Sequence, residues 1–351
     1  RSRISESGRP NKGSTEEAGE EFLIKVETRF MSQATKTKYS SGKSEKAEVL
    51  FLRERDAEGA GIFKYSTGSK YDGLWKDGKR HGLGTNIYSD GAKHVGMFKN
   101  GLPEGKGTLI MPDGQKYSGN WKGGELFGKG IYTWPSGAKY IGEFKDWDLN
   151  GLGEFSYPDG AKYVGYFKYG KCHGHGIKTE EDGEKYDGQW KNEKRSGNGT
   201  CIYSNGDKYE GEWENDVFHG QGVLVKKDLG KFEGKWRAGL EDGSGSLKFI
   251  NGYKIVGVWK AGSLVNGTTT WPNGNKYCGA FKDWKRHGQG ILTCQDGHNL
   301  KGIFRDDEPW DTVEYDKDGI VVGKNMKGVQ TKESSQQLEP SLKIVAAVLQ
   351  I

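Results

Sequence analysis

The chain has 351 residues, 33% of them hydrophobic and 12% aromatic, with 57 glycines and a net charge of +5 from 53 basic and 48 acidic residues. Glycine stands at about twice its usual share, and so small an apolar fraction excludes a thick core of Leu, Ile and Val. The mild basic excess matters through its distribution more than its total; no nucleic acid is expected as a partner, and no run of about 18 apolar residues is present to span a membrane.

Residues 1–47 are rich in Ser, Thr, Lys, Arg and Glu, with few apolar residues outside "EEFLIKVETRF". They read as a mostly disordered arm with one short element at Phe22–Phe30. The chain opens at Arg1 without Met, so a fragment or a processed form is expected, and a processed organellar form stays open. "SGKS", Ser41 to Ser44, resembles the end of a phosphate-binding loop, but that pattern needs Gly where Thr37 stands. Residues 48–70 carry Gly59, Gly61 and Gly68 of a repeat whose first half, "EVLFLRER", has lost its glycine and aromatic. They read as a degenerate capping repeat.

From Tyr71 to about residue 320 the sequence repeats eleven times. Taking Tyr71 as position zero, the equivalents are His94, Tyr117, Tyr140, Tyr163, Tyr186, Tyr209, Phe232, Ile255, Tyr277 and Leu300, spaced by 23 residues with one step of 22. Every repeat has Gly at +2, from Gly73 to Gly302, and Trp or Phe at +4, from Trp75 to Phe304. A Gly-x-Gly pair follows in most repeats, as at Gly82/Gly84, Gly128/Gly130 and Gly288/Gly290; the ninth keeps only Gly267, and the eleventh has Asp311 and Val313. Asp-Gly or Asn-Gly commonly closes the repeat, as at Asp90-Gly91, Asp113-Gly114 and Asn205-Gly206.

Tyr-x-Gly-x-Trp alternates with period two, which puts Tyr, Gly and Trp on one face of a strand. The glycine leaves a slot for an aromatic ring, expected to come from a neighbouring repeat. A turn at "KDG" or "KNG" then leads to a second strand, so each repeat is a β-hairpin that needs neighbours to bury its face.

This pattern resembles the MORN (membrane occupation and recognition nexus) repeat over about residues 48–320. The resemblance implies an all-β fold: an elongated, twisted, open and gutter-shaped antiparallel sheet of stacked hairpins with flexible ends.

Two columns are basic. Position −1 is Lys in ten repeats and position +5 is Lys or Arg in ten. Both have odd parity and lie opposite the aromatics. Lys93, Lys99, Lys116, Lys122, Lys139, Lys145, Lys162, Lys168, Lys185 and Lys191 are the candidates for binding an acidic surface, either lipid headgroups or a protein. Equally, solvated lysines would keep exposed strands soluble and unpaired. A less regular aromatic column, Tyr88, Trp134, Tyr157, Tyr203, Phe249 and Trp271, is expected in the second strand. It supplies candidate partner contacts for an apolar helix or peptide in a groove.

No catalytic, metal or cofactor site is expected. The histidines His81, His173, His219 and His287 share one repeat position and are too far apart to share a metal, and His173-x-His175 brings no further ligand set. The Gly-x-Gly pairs fall inside hairpins rather than between strand and helix. Cys172, Cys201, Cys278 and Cys294 lack CxxC spacing and read as reduced thiols of an intracellular protein. "NGT" at Asn198 and Asn266 is then a chance match to a glycosylation acceptor. Residues 321–351 read as a linker and a short apolar tail, "SLKIVAAVLQI", which together with the array ends offers a route to oligomers.

The functional expectation is a non-enzymatic scaffold or adaptor binding protein partners. The resemblance places it in a cytoskeletal, ciliary or membrane-junction assembly, cytoplasmic or membrane-peripheral. The alternatives are a protein that binds acidic phospholipids, and the targeting module of a larger enzyme of lipid-kinase or SET methyltransferase type.

Overall fold

The computed structural model describes residues 59–330, which form 25 β-strands and no helix. The arm with Phe22–Phe30 and the apolar tail lie outside the described residues. The chain divides into two compact units, up to Gly174 and from His175.

In the first unit, strands from Gly59–Lys64 to Lys162–Lys168 follow one another as a meander, each antiparallel to the next. The second unit repeats the plan from Lys185–Lys191 to Val329–Gln330. Within each unit the first and last of these strands do not pair, so each sheet is open.

One repeat shows how the sequence builds a hairpin. Lys116–Lys122 and Glu125–Thr133 are joined by Gly123 and Gly124, both at positive φ (58° and 87°). A two-residue turn with both φ positive matches the right-handed twist of its strands. The same turns link neighbouring repeats, since Gly124 N–H donates to Pro103 O at 2.9 Å and Gly101 N–H to Arg80 O at 2.9 Å. Two second-strand residues then bulge out. Phe127 faces Asn120 and Gly130 faces Gly119, and Gly128 holds the bulge at φ 65°.

The glycine slot is filled from within the repeat, not from a neighbour. Gly119 and Gly130 pair across the hairpin, and the ring of Tyr117, two residues before Gly119, lies over both; a Cβ on either glycine would strike that ring. Tyr117 Oη then donates to Asn120 O at 3.1 Å, and Tyr71, Tyr140, Tyr163, Tyr186, Tyr209 and Tyr277 bond the carbonyl three residues on in the same way. The neighbour contributes the edge of its ring. Tyr117 meets Trp121 of its own repeat at 5.4 Å and Phe144 of the next at 5.0 Å, both edge to face. Burying one such ring is worth roughly 2–3 kcal/mol. That exceeds the roughly 1 kcal/mol that a glycine costs a strand.

The pattern absorbs its own exceptions. The ninth repeat keeps its bulge with Val265 in place of the first glycine. Residues 321–330, read as linker from the sequence, continue the sheet: Val321–Met326 pairs with Glu308–Tyr315, and Val329–Gln330 pairs with Val321–Met326.

Candidate interaction surface

The first strands alternate between core and solvent, most strictly at Lys93–Lys99 and Lys162–Lys168. In Lys93–Lys99, His94, Gly96 and Phe98 are buried while Lys93, Val95, Met97 and Lys99 are exposed. Residues opposite one another in a sheet share a face, so the pairing register lays out the exposed side as rows. The −1 row of the first unit reads Lys70, Ile87, Lys93, Ile110, Lys116, Thr133, Lys139, Ser156, Lys162 across successive strands. Successive lysines in it stand about 10 Å apart. Lys162 pairs with Glu154 at 2.8 Å. Among the described residues no carboxylate comes within ion-pair distance of Lys70, Lys93, Lys116 or Lys139.

The +5 row, with Lys99, Lys122, Lys145 and Lys168, is less bare, because Glu125 stands opposite Lys122 and Asp148 opposite Lys145. Lys122 Nζ lies 5.2 Å from the Phe127 ring centre. Lys145 and Lys168 border a cleft of about 610 Å³ with Asp146, Asp148, Tyr166 and Tyr169. Between the two rows lie exposed apolar side chains in cross-strand pairs: Leu83 with Met97, Ile131 with Ile141, Leu152 with Tyr166.

The irregular aromatic column sits elsewhere than the sequence suggests. Tyr88, Trp134, Tyr157, Tyr203 and Trp271 follow the second strand and open the turn to the next repeat; Trp134 N–H donates to Ala138 O at 3.0 Å. Only Phe249 ends a second strand. Trp134 is 4% exposed, with Tyr132 at 4.5 Å and Phe155 at 5.2 Å, and Phe249 is also buried. Tyr88, Tyr157, Tyr203 and Trp271 are half-buried. The burial of Tyr203 pushes its hydroxyl well above the usual tyrosine range. These rings pack the sheet's own turns, and the accessible area is the opposite, lysine-bearing face.

Ten consecutive stretches, from residues 71–93 to 277–299, match the MORN repeat model. The chain belongs to the MORN repeat family. No curated protein matches it. Among solved structures, the SAS-4 (dCPAP) TCP domain of Drosophila melanogaster, in complex with a proline-rich motif of Ana2, is 10% identical; the match covers 51% of this chain and 85% of that one, with a TM-score of 0.25. The TCP10 domain of Danio rerio CPAP is 13% identical over 76% of this chain and 99% of its own, with a TM-score of 0.18. A virginiamycin B lyase of Staphylococcus aureus is 13% identical over 78% and 97%, with a TM-score of 0.14. Scores this low carry no argument about function.

The MORN repeats of the second unit show a different solvent face. There Lys208 pairs with Glu210 at 2.7 Å and Lys231 with Glu233 at 2.9 Å, both two residues on in the same strand. Lys185 and Lys191 are exposed, and Asp187 between them pairs with His175 at 3.0 Å. The lysine column is thus continuous in sequence, and in the second unit two of its members, Lys208 and Lys231, are neutralised.

Three polar groups in the MORN core were not foreseen. His94 takes the tyrosine position, fully buried, with neither ring nitrogen hydrogen-bonded. Burial, and then the charge of Arg80, hold its imidazole down to about 4. Arg286 and Asp307 form a buried pair, with Nε at 3.3 Å from Oδ1 and Nη2 donating to the Asp307 carbonyl at 2.7 Å. Cys201, enclosed with Glu184 and Arg195, is pushed to about 12 by burial and by the Glu184 carboxylate. Such a thiol is inert. The sequence signal for each was a break in a column: His for Tyr at 94, and Arg at 80, 195 and 286, one repeat position occupied elsewhere by Pro, Leu, Cys, Phe or Glu.

Proposed function

We propose that this MORN array is a non-enzymatic scaffold whose first unit binds acidic protein partners on the lysine-bearing face. The observation that carries the reading is the −1 row of the first unit. Lys70, Lys93, Lys116 and Lys139 have no carboxylate within ion-pair distance among the described residues and stand beside exposed Ile110, Ile131 and Ile141. A row of charges of one sign steers an oppositely charged partner, and apolar side chains beside it supply the contact area that holds one.

The test compares the full chain with the variant K93E/K116E/K139E. All three positions are exposed strand ends, so folding should be unchanged. Immobilised wild type should capture acidic proteins in a salt-sensitive way, the variant should lose them, and neither should float with vesicles containing acidic phospholipid. Equal capture by both proteins would overturn the reading. Flotation of wild type alone would replace the protein partner with a lipid surface.

A further inference from the structure

The same chain carries a segment whose chemistry complements this face. Residues 16–27 read EEAGEEFLIKVE: Glu16, Glu17, Glu20, Glu21 and Glu27 against one Lys25, with Phe22, Leu23, Ile24 and Val26 among them. The segment lies outside the described residues. Residues 48–58 also set four carboxylates, Glu48, Glu54, Asp56 and Glu58, beside the apolar run Val49–Leu52, but Arg53 and Arg55 cancel half of that charge, whereas Glu16–Glu27 has only Lys25 against five carboxylates. The first unit offers the opposite arrangement, with lysines on the outer row and apolar pairs directly inside it.

We infer that the acidic, apolar segment Glu16–Glu27 docks on the lysine-bearing face of the first unit, over the −1 row at Lys93, Lys116 and Lys139, and competes there with external acidic partners. This inference rests on the proposed binding face and adds its occupant.

Chain length permits it. A random coil of 32 residues, the number between Val26 and Gly59, has an r.m.s. span of about 31 Å. Lys93 stands three strands from Gly59–Lys64 and Lys139 seven, which is about 14 Å and about 34 Å at the strand spacing. A tether whose r.m.s. length matches the span gives an effective concentration of about a millimolar. Contacts far too weak to persist between separate molecules then keep the face largely occupied. The same tether makes the contact displaceable: a partner with more carboxylates, or with better apolar contacts at Ile131 and Ile141, wins the surface.

Two measurements on the full chain test this. The first is zero-length carbodiimide cross-linking at high dilution. It should join Glu16, Glu17, Glu20 or Glu21 to Lys93, Lys116 or Lys139 within one molecule, and 0.5 M salt should abolish the links. The second is fluorescence anisotropy with a labelled synthetic peptide of residues 14–30. The peptide should bind the arm variant E16K/E17K/E20K/E21K at least tenfold more tightly than wild type, because the arm no longer competes. Adding K93E/K116E/K139E to that variant should remove peptide binding. Equal peptide affinity for wild type and the arm variant overturns the inference, as do links that fall elsewhere or only between two molecules. If these fail while K93E/K116E/K139E still loses its captured proteins, the occupant is wrong and the scaffold reading stands. If capture is also unaffected, both fall.

Discussion

His94 occupies the position where the neighbouring repeats have Tyr71 and Tyr117, and restoring the tyrosine should stabilise the first unit in a pH-dependent way. The space exists, because the imidazole lies over Gly96 and Gly107 as Tyr117 lies over Gly119 and Gly130. Its ring meets Phe98 at 5.1 Å and Trp121 at 4.6 Å, the edge-to-face contacts a tyrosine makes there. What is missing is the hydroxyl bond to the carbonyl three residues on, and His94 leaves both ring nitrogens unpaired. One such bond is worth about 1 kcal/mol, and an unpaired buried polar group costs about 1–3 kcal/mol. H94Y should therefore gain about 1–2 kcal/mol at pH 7.5.

The pH term is separate. The folded imidazole is held to about 4 against an ordinary 6.5. Between those values the unfolded chain binds the proton and the folded one does not, so stability falls as pH drops from 6.5 towards 4. Linkage gives a loss of about 2 kcal/mol by pH 5 and about 3 kcal/mol by pH 4. H94Y removes this loss, and its advantage over wild type should widen to about 3 kcal/mol or more at pH 5. Urea denaturation followed by tryptophan fluorescence at the two pH values reads both quantities. An H94Y advantage that is the same at pH 7.5 and pH 5, or a less stable H94Y at either, would refute the account of this position.

Other substitutions probe the remaining parts of the core. Gly119→Ala sets a Cβ against the Tyr117 ring and 2.8 Å from Gly130 Cα; it should cost at least about 3 kcal/mol. Gly137→Ala, at φ 94° with nothing within 4 Å, should cost only about 1–2 kcal/mol of backbone strain, and the contrast is read in paired urea melts. Trp134→Ala should cost about 3–5 kcal/mol; a variant of wild-type stability would return that ring to the list of partner contacts. Arg286→Met leaves Asp307 buried without its cation and should lose about 3–5 kcal/mol by thermal melting, with no change in acidic-protein capture by the first unit.

Period and parity were open to inspection in the sequence because both are one-dimensional. The spacing from Tyr117 to Gly119 to Trp121 fixes which side chains share a face whatever the neighbours do. The identity of the ring in the glycine slot was not open in the same way. Whether Tyr117 folds down onto Gly119 and Gly130 or a neighbour's ring does so depends on side-chain torsions and on the hairpin register, which spacing leaves free. The aromatic column at Trp134 was misplaced for a related reason. The end of a strand is set where Trp134 N–H finds Ala138 O, a turn bond no alternation reports. Trp147 is a third case, buried at φ 70° in a hairpin turn where six of the other ten repeats have glycine, and held there by Trp121 at 5.6 Å. Only a partner supplied by folding makes that strained residue intelligible.

The same parity explains why the solvent face can differ between units while the core stays constant. Stacking constrains the positions of Tyr, Gly and Trp and leaves those between them to vary, and they do: Val95, Ile141 and Val164 in the first unit stand where Asp187, Glu210 and Glu233 stand in the second. If the lysines served only to keep exposed strands in water, the intervening residues would be free to be acidic in both units. In the second unit half of them are, at Asp187, Glu210 and Glu233, and Lys208 and Lys231 are each neutralised within 3 Å by their own strand. In the first unit Val95, Ile141 and Val164 are apolar there, with Asp72 and Ser118 as exceptions, and the −1 lysines from Lys70 to Lys139 have no carboxylate within ion-pair distance among the described residues and stand beside exposed Ile110, Ile131 and Ile141. Exposed isoleucine beside unneutralised lysine contributes nothing to the stack. Covering it with a segment that is both acidic and apolar would satisfy both features at once, which neither water nor a purely ionic partner does.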